Sequence, residues 1–579
     1  MDKSQITDIL EAIAVLLELK GENPFKARAY TNGARTLDTY EGDITKLVAE
    51  NRLGELAGIG DALQKKITEL VTTGRLGYYE DLRASVPQGL LAMMEIPSLG
   101  AKKIKALHEK LGISTVAELE AACIAHKVRD LAGFGAKTEE KLLAGIVQSR
   151  EYASLHLYAT AWAQAEELRD ALRDHEDVLQ LSTAGSLRRG REIVHDLDLV
   201  ASSRQPQAVM DYFVSLPWVN TVTNHGPTKS SVLLKSGMSA DLRIVSDKQF
   251  AYALHHFTGS KEHNVAMRQR AIAQGKKLSE WGLFITPKKK KSDDDDGELI
   301  PCRTEEELFA ALGLQYIPPE LRENLGEIEA AERKEIPRLV EWIQLRGTFH
   351  CHTTASDGRN TLAEMADEAR ELGLDYLGIA DHSKSSIQAN GLNEQRLAEQ
   401  IKLIAQYNKE NPDFHVFAGS EVDILKDGRL DFSDETMAKL DYVVASVHNV
   451  LNLEEDEMTA RVIRAMENEY VTMLGHSTGR LLLQREPSKI NLEKIIDCAA
   501  ATGTIIELNC SSMRMDMDWR WWHRARDKGV KCAINPDAHR VSQFAMLRHG
   551  VTLARKGWLR REDVINTLPL AAMKKALAR

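Results

Sequence analysis

Two aspartates, Asp196 and Asp198, stand two residues apart inside the apolar run IVHDLDLV. In a strand successive side chains alternate faces, so Val194, Asp196 and Asp198 share one face while Leu197 and Leu199 share the other. Carboxylates that close raise each other's pKa unless a cation neutralises them, so the pair points to a divalent metal held by oxygen. A solvated edge strand is the bland alternative. A third carboxylate, Asp241, falls on the second strand of the hairpin that SVLLKSGMSADLRIV encodes. Three carboxylates on neighbouring strands suffice for two ions that acidify an attacking hydroxyl and stabilise the leaving oxygen of an in-line displacement. Upstream, GSLRRG supplies a glycine turn at Gly185, the Ser186 hydroxyl and the Arg189 guanidinium, a set suited to a polyphosphate.

A second constellation fills the C-terminal half. Seven apolar runs follow one another: GTFHCHTTASDG, YLGIADHS, HVFAGSEVDI, YVVASVHNV, VTMLGHST, TIIELNCSS and KCAINPDAH. Helical patterns such as LAEMADEAREL separate many of them, which predicts a parallel, barrel-like α/β domain with its functional groups at the C-terminal strand ends. His350, His352, Asp357, His382, Glu421, His448, His476, Asp537 and His539 fall there. One such histidine is more often structural than a ligand; nine ligand types at strand ends are not. Imidazole mixed with carboxylate, without cysteine, points to Mn²⁺, Zn²⁺ or Fe²⁺ and to hydrolysis of a phosphoester.

These elements belong to a chain of 579 residues, too long for one core, with 28% charged and 43% hydrophobic residues. No run of about 18 apolar residues and no secretory leader pattern is seen, so a cytoplasmic protein is expected. Cys123, Cys302, Cys351, Cys498, Cys510 and Cys532 form no CxxC pair and read as reduced, mostly buried thiols. A formal net charge of -10 argues against coating nucleic acid by bulk charge, but not against local basic surfaces.

Residues 1–150 read as helices joined by glycine turns. One pattern recurs three times, in LAGIGDALQKKI (Gly58, Gly60), IPSLGAKKIKAL (Gly100) and LAGFGAKTEEKL (Gly133, Gly135), the last carrying Glu139 and Glu140. Each is an apolar residue, a tight turn and a helix start, whose exposed amides suit the phosphate of a DNA backbone. The repeat resembles the helix-hairpin-helix motif.

Gly185 to Gly190, HDLDL, Asp241 and HFTGSKEHNVAMR together resemble the palm and thumb of a family X DNA polymerase, over roughly residues 1–320 with FKARAY at 25–30 in a lyase-like domain. The resemblance implies Asp196 and Asp198 on both metals, Mg²⁺ or Mn²⁺, with Asp241 near the primer 3′ hydroxyl. It also implies Ser186 and Arg189 on the triphosphate, Phe257, Thr258 and Gly259 under sugar and base, Asn264 on the minor-groove edge and Arg268 near the template. In that family the Gly259–Ser260 peptide is typically cis. His256 stands where many members carry tyrosine, which bears on sugar discrimination. Lys66, beside Lys65, aligns with the Schiff-base lysine of lyase-active members and equally suits a solvated helix face.

The C-terminal half resembles the PHP (polymerase and histidinol phosphatase) domain, with all nine ligand positions of that family's trinuclear site filled. This implies a distorted seven-stranded barrel and 3′ to 5′ exonuclease action, with 3′-phosphatase or abasic-site endonuclease activity as further options. The expected architecture is multidomain: an all-α helix-hairpin-helix N-terminal region, an α+β nucleotidyltransferase palm with thumb, and a C-terminal α/β barrel. The divisions are 1–82 (lyase-like, first helix-hairpin-helix), 83–150 (fingers-like), 151–260 (palm), 261–320 (thumb), 321–340 (linker) and 341–579 (PHP).

The implied enzyme is a monomer that fills short gaps in base excision repair, using gapped or primer-template DNA and deoxynucleoside triphosphates. Rival readings are a PHP nuclease or phosphatase with a silent polymerase half, and a non-catalytic repair scaffold. KKKKSDDDD at 288–296 reads as a mobile, self-neutralising loop, and WRWWHRAR at 519–526 as a crossover helix with tryptophans facing the core rather than a single-strand DNA grip.

Overall fold

The apolar spacing of ITDILEAIAVLLEL is that of a helix, and Lys3–Leu19 is one, with Ile6, Leu10, Ile13 and Leu17 all buried on one stripe. Asn23 caps the next helix, Pro24–Thr39, by accepting from the Phe25 amide with Pro24 in the first turn. The computed structural model describes residues 3–40, 44–94, 96, 99–286 and 297–578. Its contacts divide the chain into two units, Met1–Ala153 and Ser154–Arg579. The segment 288–296, expected as a mobile loop, lies outside the described residues.

The first unit is helical throughout its described residues, and a single core runs from Ile6 to Ile146. The division expected at 82/83 therefore falls inside one continuous core. All three glycine turns form: the carbonyls of Leu56, Ile96 and Leu131 accept from the amides of Ile59, Leu99 and Phe134 at 3.0 to 3.1 Å. Helices Asp61–Thr73, Ala101–Leu111 and Ala136–Tyr152 begin directly behind, with Gly60, Gly100 and Gly135 as their N-caps.

The second unit opens with a five-stranded sheet in the order Val178–Thr183, Asp196–Ser203, Ser239–Val245, Lys229–Leu234, Val219–His225. The hairpin anticipated around Gly237 pairs Lys229–Leu234 with Ser239–Val245 antiparallel. Leu197, Leu199 and Ala201 enter the core from one face of the aspartate strand, as the alternation requires. Two helices, Phe250–Thr258 and Lys261–Ala273, lead into a three-stranded sheet made by Lys276–Ser279, Gly282–Ile285 and Glu298–Ile300.

The segment 321–340, expected as a linker, is packed against the helices before it. Leu321, Ile328, Ala331, Ile336 and Leu339 pack into the same core as Met267, Leu308 and Phe309. Arg322, fully buried, pairs with Glu305 at 2.5 Å and lies 5.0 Å from the Phe309 ring. The apolar spacing of these residues, diluted by charge, hid a packed face.

Beyond it, seven parallel strands, Gly347–Cys351, Tyr376–Ile379, His415–Asp423, Tyr442–Ser446, Met473–Leu474, Ile505–Asn509 and Cys532–Asn535, follow in sequence order. The ends approach through a bridge between Cys351 and Ala538 and the hydrogen bond from the His352 amide to the Ala538 carbonyl at 2.8 Å, giving a nearly closed barrel. WRWWHRAR becomes the turn Trp519–Trp521 and the helix Trp522–Asp527, with Trp519 and Trp522 buried in the core.

Candidate active sites

Strand pairing assembles the carboxylate site. Asp196–Ser203 runs parallel to Ser239–Val245 with Asp198 directly opposite Asp241, while Asp196 begins the same strand. Burial, then the charges of Asp196 and Asp241, push the Asp198 carboxyl up to about 7. Lys229 pairs with Asp241 at 2.6 Å. Three carboxylates, all oxygen donors, with Lys229 and Arg243 as the nearby cations, are a donor set that fits hard divalent cations. Gly185 shows how tightly the upstream turn is laid against this site: it has φ 60°, and a Cβ there would stand 2.2 Å from Asp198 Oδ2.

The residues expected around a nucleotide gather nearby, with one surprise. Gly185–Arg188 is a helical turn rather than a bare glycine loop. Arg189 is engaged within the chain, 3.1 Å from Glu323 and donating to the Thr258 carbonyl at 2.5 Å. Arg188 binds Glu305 at 2.6 Å and the Thr258 hydroxyl at 2.6 Å. Arg243 lies 4.2 Å over the Phe257 ring. The Gly259–Ser260 peptide is cis. Asn264 donates to the His256 carbonyl at 2.7 Å, Arg268 donates to the Asn264 carbonyl at 3.2 Å, and His256, Asn264 and Arg268 line one small cavity. Burial lowers the His256 pKa, against Glu280 at 3.9 Å.

In the barrel, six of the seven strands deliver the nine ligand-type residues at or just past their C-terminal ends. Their donor atoms fall into four overlapping groups, each within 4.8 Å: His352, Asp357, His382 and His539; His350, His476 and Asp537; His350, His352 and Glu421; His382, Glu421 and His448. Glu421 is central, 2.9 Å from His382 and from His476, 3.1 Å from His350 and 3.2 Å from His448. His350 and Asp537 hold left-handed backbone at φ 55° and 52°, where side chains other than glycine's are strained, a cost often stored at functional sites.

The electrostatics are those of a cluster built for cations. Burial raises the Glu421 carboxyl, but His448, His350 and His382 together hold it well below its usual range. Burial opposes protonation of His448 and His539 as well, yet Glu421 and Asp423 push the first up to about 10, and Asp357 and Asp537 the second up to about 9. Among the described residues, His350 Nε2, His352 Nδ1 and Nε2, His382 Nδ1, His476 Nδ1 and Glu421 Oε2 are buried without a well-aligned hydrogen bond, though His350, His352 and His382 lie within ion-pair distance of Glu421 or Asp537. A buried polar atom left unsatisfied costs on the order of 1–3 kcal/mol. Their concentration in one cluster, with candidate ligand atoms of each group within 4.8 Å of one another, fits a group of divalent metal ions.

Sequence reading missed the carboxylates that orient these ligands. The Glu507 side chain accepts from His350 Nδ1 and from the His476 amide. Asp423 accepts from His448 Nδ1, and Asp381 accepts from the Thr353 amide at 2.8 Å and its hydroxyl at 2.7 Å. A signal was there: Asp423 lies two residues after Glu421, on the same strand face, and Asp381 directly precedes His382. Glu507 is what the sixth strand, Ile505–Asn509, contributes: a carboxylate behind the cluster.

The helical unit offers a different chemistry. A Cβ added at Gly60, Gly100, Gly133 or Gly135 would meet nothing within 4 Å, so no neighbour in the chain demands their small size. In the third copy Glu139 turns inward, buried, to accept from the Arg129 amide at 2.9 Å and its side chain at 2.7 Å. The Lys66 ammonium sits 4.6 Å over the Tyr78 ring.

Comparison with known proteins agrees with both halves. Four family matches cover a helix-hairpin-helix domain (residues 1–76), a SAM-like helix-hairpin-helix tandem (90–146), the DNA polymerase beta thumb (253–323) and the PHP domain (348–511). The chain is 37% identical over its full length, and the full length of the relative, to the DNA polymerase/3′-5′ exonuclease PolX of Bacillus subtilis strain 168. Over 38% of this chain it is 28% identical to a probable phosphatase of Thermoanaerobacter sp. strain X514, covering 89% of that protein. Over 28% it is 32% identical to a probable phosphatase of Caldicellulosiruptor bescii, covering 65% of that one. The full-length likeness to one relative, together with the beta-type thumb and PHP-domain matches, makes this chain a member of the family X DNA polymerases that carry a PHP domain.

Proposed function

We propose that the chain is a DNA-directed DNA polymerase that fills short gaps in base excision repair and trims 3′ ends by 3′ to 5′ exonuclease action at the PHP site. The observation that carries it is the coexistence in one chain of Asp198 opposite Asp241 and of nine clustered ligand-type residues with six buried atoms that lack a well-aligned hydrogen bond. Gapped or primer-template DNA and deoxynucleoside triphosphates are the substrates, and the enzyme acts as a monomer in the cytoplasm.

Asp196, Asp198 and Asp241 would hold Mg²⁺ or Mn²⁺, and the nine barrel residues three ions of Mn²⁺, Zn²⁺ or Fe²⁺. Bound cations supply charge to phosphoryl oxygens and acidify the attacking hydroxyl or water. Around them the chain does the positioning. The Ser186 hydroxyl and the amides of the Gly185 turn face the triphosphate, Phe257 to Gly259 support sugar and base, and Asn264 and Arg268 read the nascent pair. The Arg189 guanidinium acts from its Glu323 pairing, bracing Thr258, unless substrate displaces it. Gly58, Gly60, Gly100, Gly133 and Gly135 let DNA phosphates approach helix N-termini, with the first two turns stronger than the third. Lys66, held over Tyr78, belongs to the helix surface rather than to a lyase centre. The domain divisions proposed are those of the sequence, with 321–340 joined to the thumb.

The test is a denaturing gel with a labelled primer on a one-nucleotide gapped duplex, in Mg²⁺ or Mn²⁺, with and without deoxynucleotides. Extension with them and shortening without them is the expected result. Shortening alone would reduce the chain to a PHP nuclease with a silent polymerase half.

A further inference from the structure

The turn that carries Gly185 and Ser186 has the barrel domain at its back. After the helical turn Gly185–Arg188, the chain passes through Arg189, Gly190, Arg191 and Glu192 before reaching the aspartate strand. Side chains from the C-terminal domain grip this short run at three points. The Lys556 ammonium, fully buried, donates to the Arg189 carbonyl at 2.9 Å and the Glu320 carbonyl at 3.2 Å, and pairs with Glu323 at 2.6 Å. Trp519 Nε1 donates to one Glu192 oxygen at 3.2 Å, with Arg480 3.6 Å from the other. Thr552 presses on Gly190 so closely that a Cβ there would lie 2.6 Å from its methyl.

The three points are one unit. Lys556 lies 4.4 Å over the Trp519 ring, and its partner Glu323 also holds the Arg189 guanidinium, which in turn braces the Thr258 carbonyl beside Gly259. An ammonium has three protons and here has three acceptors, so its position is specified in direction as well as distance. A role in packing alone would be met by an apolar side chain, without the cost of taking a charge out of water. None of these residues belongs to the nine-ligand cluster.

We propose that Lys556, on the PHP domain, is a positioning residue for DNA synthesis: it fixes the Gly185–Arg189 turn against Asp198 and thereby sets how well the polymerase site takes up a deoxynucleoside triphosphate. The inference rests on the reading of that turn as the triphosphate loop. It gives the barrel a part in the other active site's chemistry, distinct from its own hydrolysis.

The experiment compares the full-length chain with its Lys556→Met and Trp519→Phe variants, measuring KM and kcat for deoxynucleotide on a one-nucleotide gapped duplex in Mg²⁺, and shortening of a single-stranded oligonucleotide. The expected result for Lys556→Met is a KM raised about tenfold with kcat and shortening within about threefold, and for Trp519→Phe a smaller shift of the same kind. A folded Lys556→Met with unchanged KM, or with synthesis and shortening lost in parallel, overturns the role. If Lys556→Met does not fold, Trp519→Phe decides by the same split. Ser186→Ala separates the two claims: KM raised there but unchanged in Lys556→Met overturns the positioning role alone, while KM unchanged in both overturns the loop reading as well.

Discussion

The two metal-type sites of this chain solve the same chemical problem with opposite materials. The carboxylate site uses oxygen alone, lies on two interior strands of its sheet with Asp196 exposed, and has Lys229 and Arg243 as neighbouring cations. The barrel site uses six imidazoles and three carboxylates, with His350, His352 and Glu421 buried at its centre, and a further layer of Glu507, Asp423 and Asp381 behind them. Oxygen ligands with one exposed member suit ions that arrive with a phosphate and leave with the product; imidazoles oriented by carboxylates behind them suit ions that stay. The difference teaches that one chain holds two donor sets of different type and burial, one suited to exchangeable ions and one to resident ions.

The strongest way to break that comparison is to remove each site in turn. Asp198→Ala should abolish extension, with a loss above about a thousandfold, while 3′ shortening continues; His350→Ala with His352→Ala should do the reverse. Loss of both activities in either folded variant would mean that the sites are not separate. The resident character of the barrel ions is checked by elemental analysis after desalting: metal should remain in the native chain and in Asp198→Ala and be lost from the double histidine variant.

A change behind the ligands sharpens the contrast. Glu507→Gln or Asp423→Asn, each leaving all nine ligands in place, should weaken metal retention about ten- to a hundredfold in chelator competition. Glu507 and Asp423 are bonded within the barrel cluster, so the Mg²⁺ dependence of extension should not move.

The smallest effect is in pH. With pKa values pushed up to about 10 and about 9, His448 and His539 carry protons at neutral pH that a cation must displace, so metal uptake should release protons and tighten as pH rises from about 6 to 9. Asp198, pushed up to about 7 by burial and by its two carboxylate neighbours, has the same sign at the other site. At limiting Mg²⁺, extension should fall below about pH 7 and return when Mg²⁺ is raised, read from initial rates on gapped DNA. A fall that more Mg²⁺ does not reverse would place the titrating group elsewhere.

Much of this was legible in the residues themselves. The alternation around Asp196 and Asp198, the hairpin at Gly237, the three glycine turns and the seven strand-end runs are local patterns, repeated at intervals of two or of a helical turn, and local patterns are what backbone geometry imposes. That the nine ligand-type residues would cluster was legible for the same reason: strand ends of a parallel barrel converge whatever the intervening helices say. Only tertiary structure decided that Glu421 joins two of the four overlapping groups, that Glu507 orients His350 across 157 positions of chain, and that Arg189 is tied to Glu323. It also decided that 321–340 is core and that Lys556 reaches the polymerase turn. Pairings between groups far apart in the chain depend on how whole elements pack, and no periodicity within any one element encodes them.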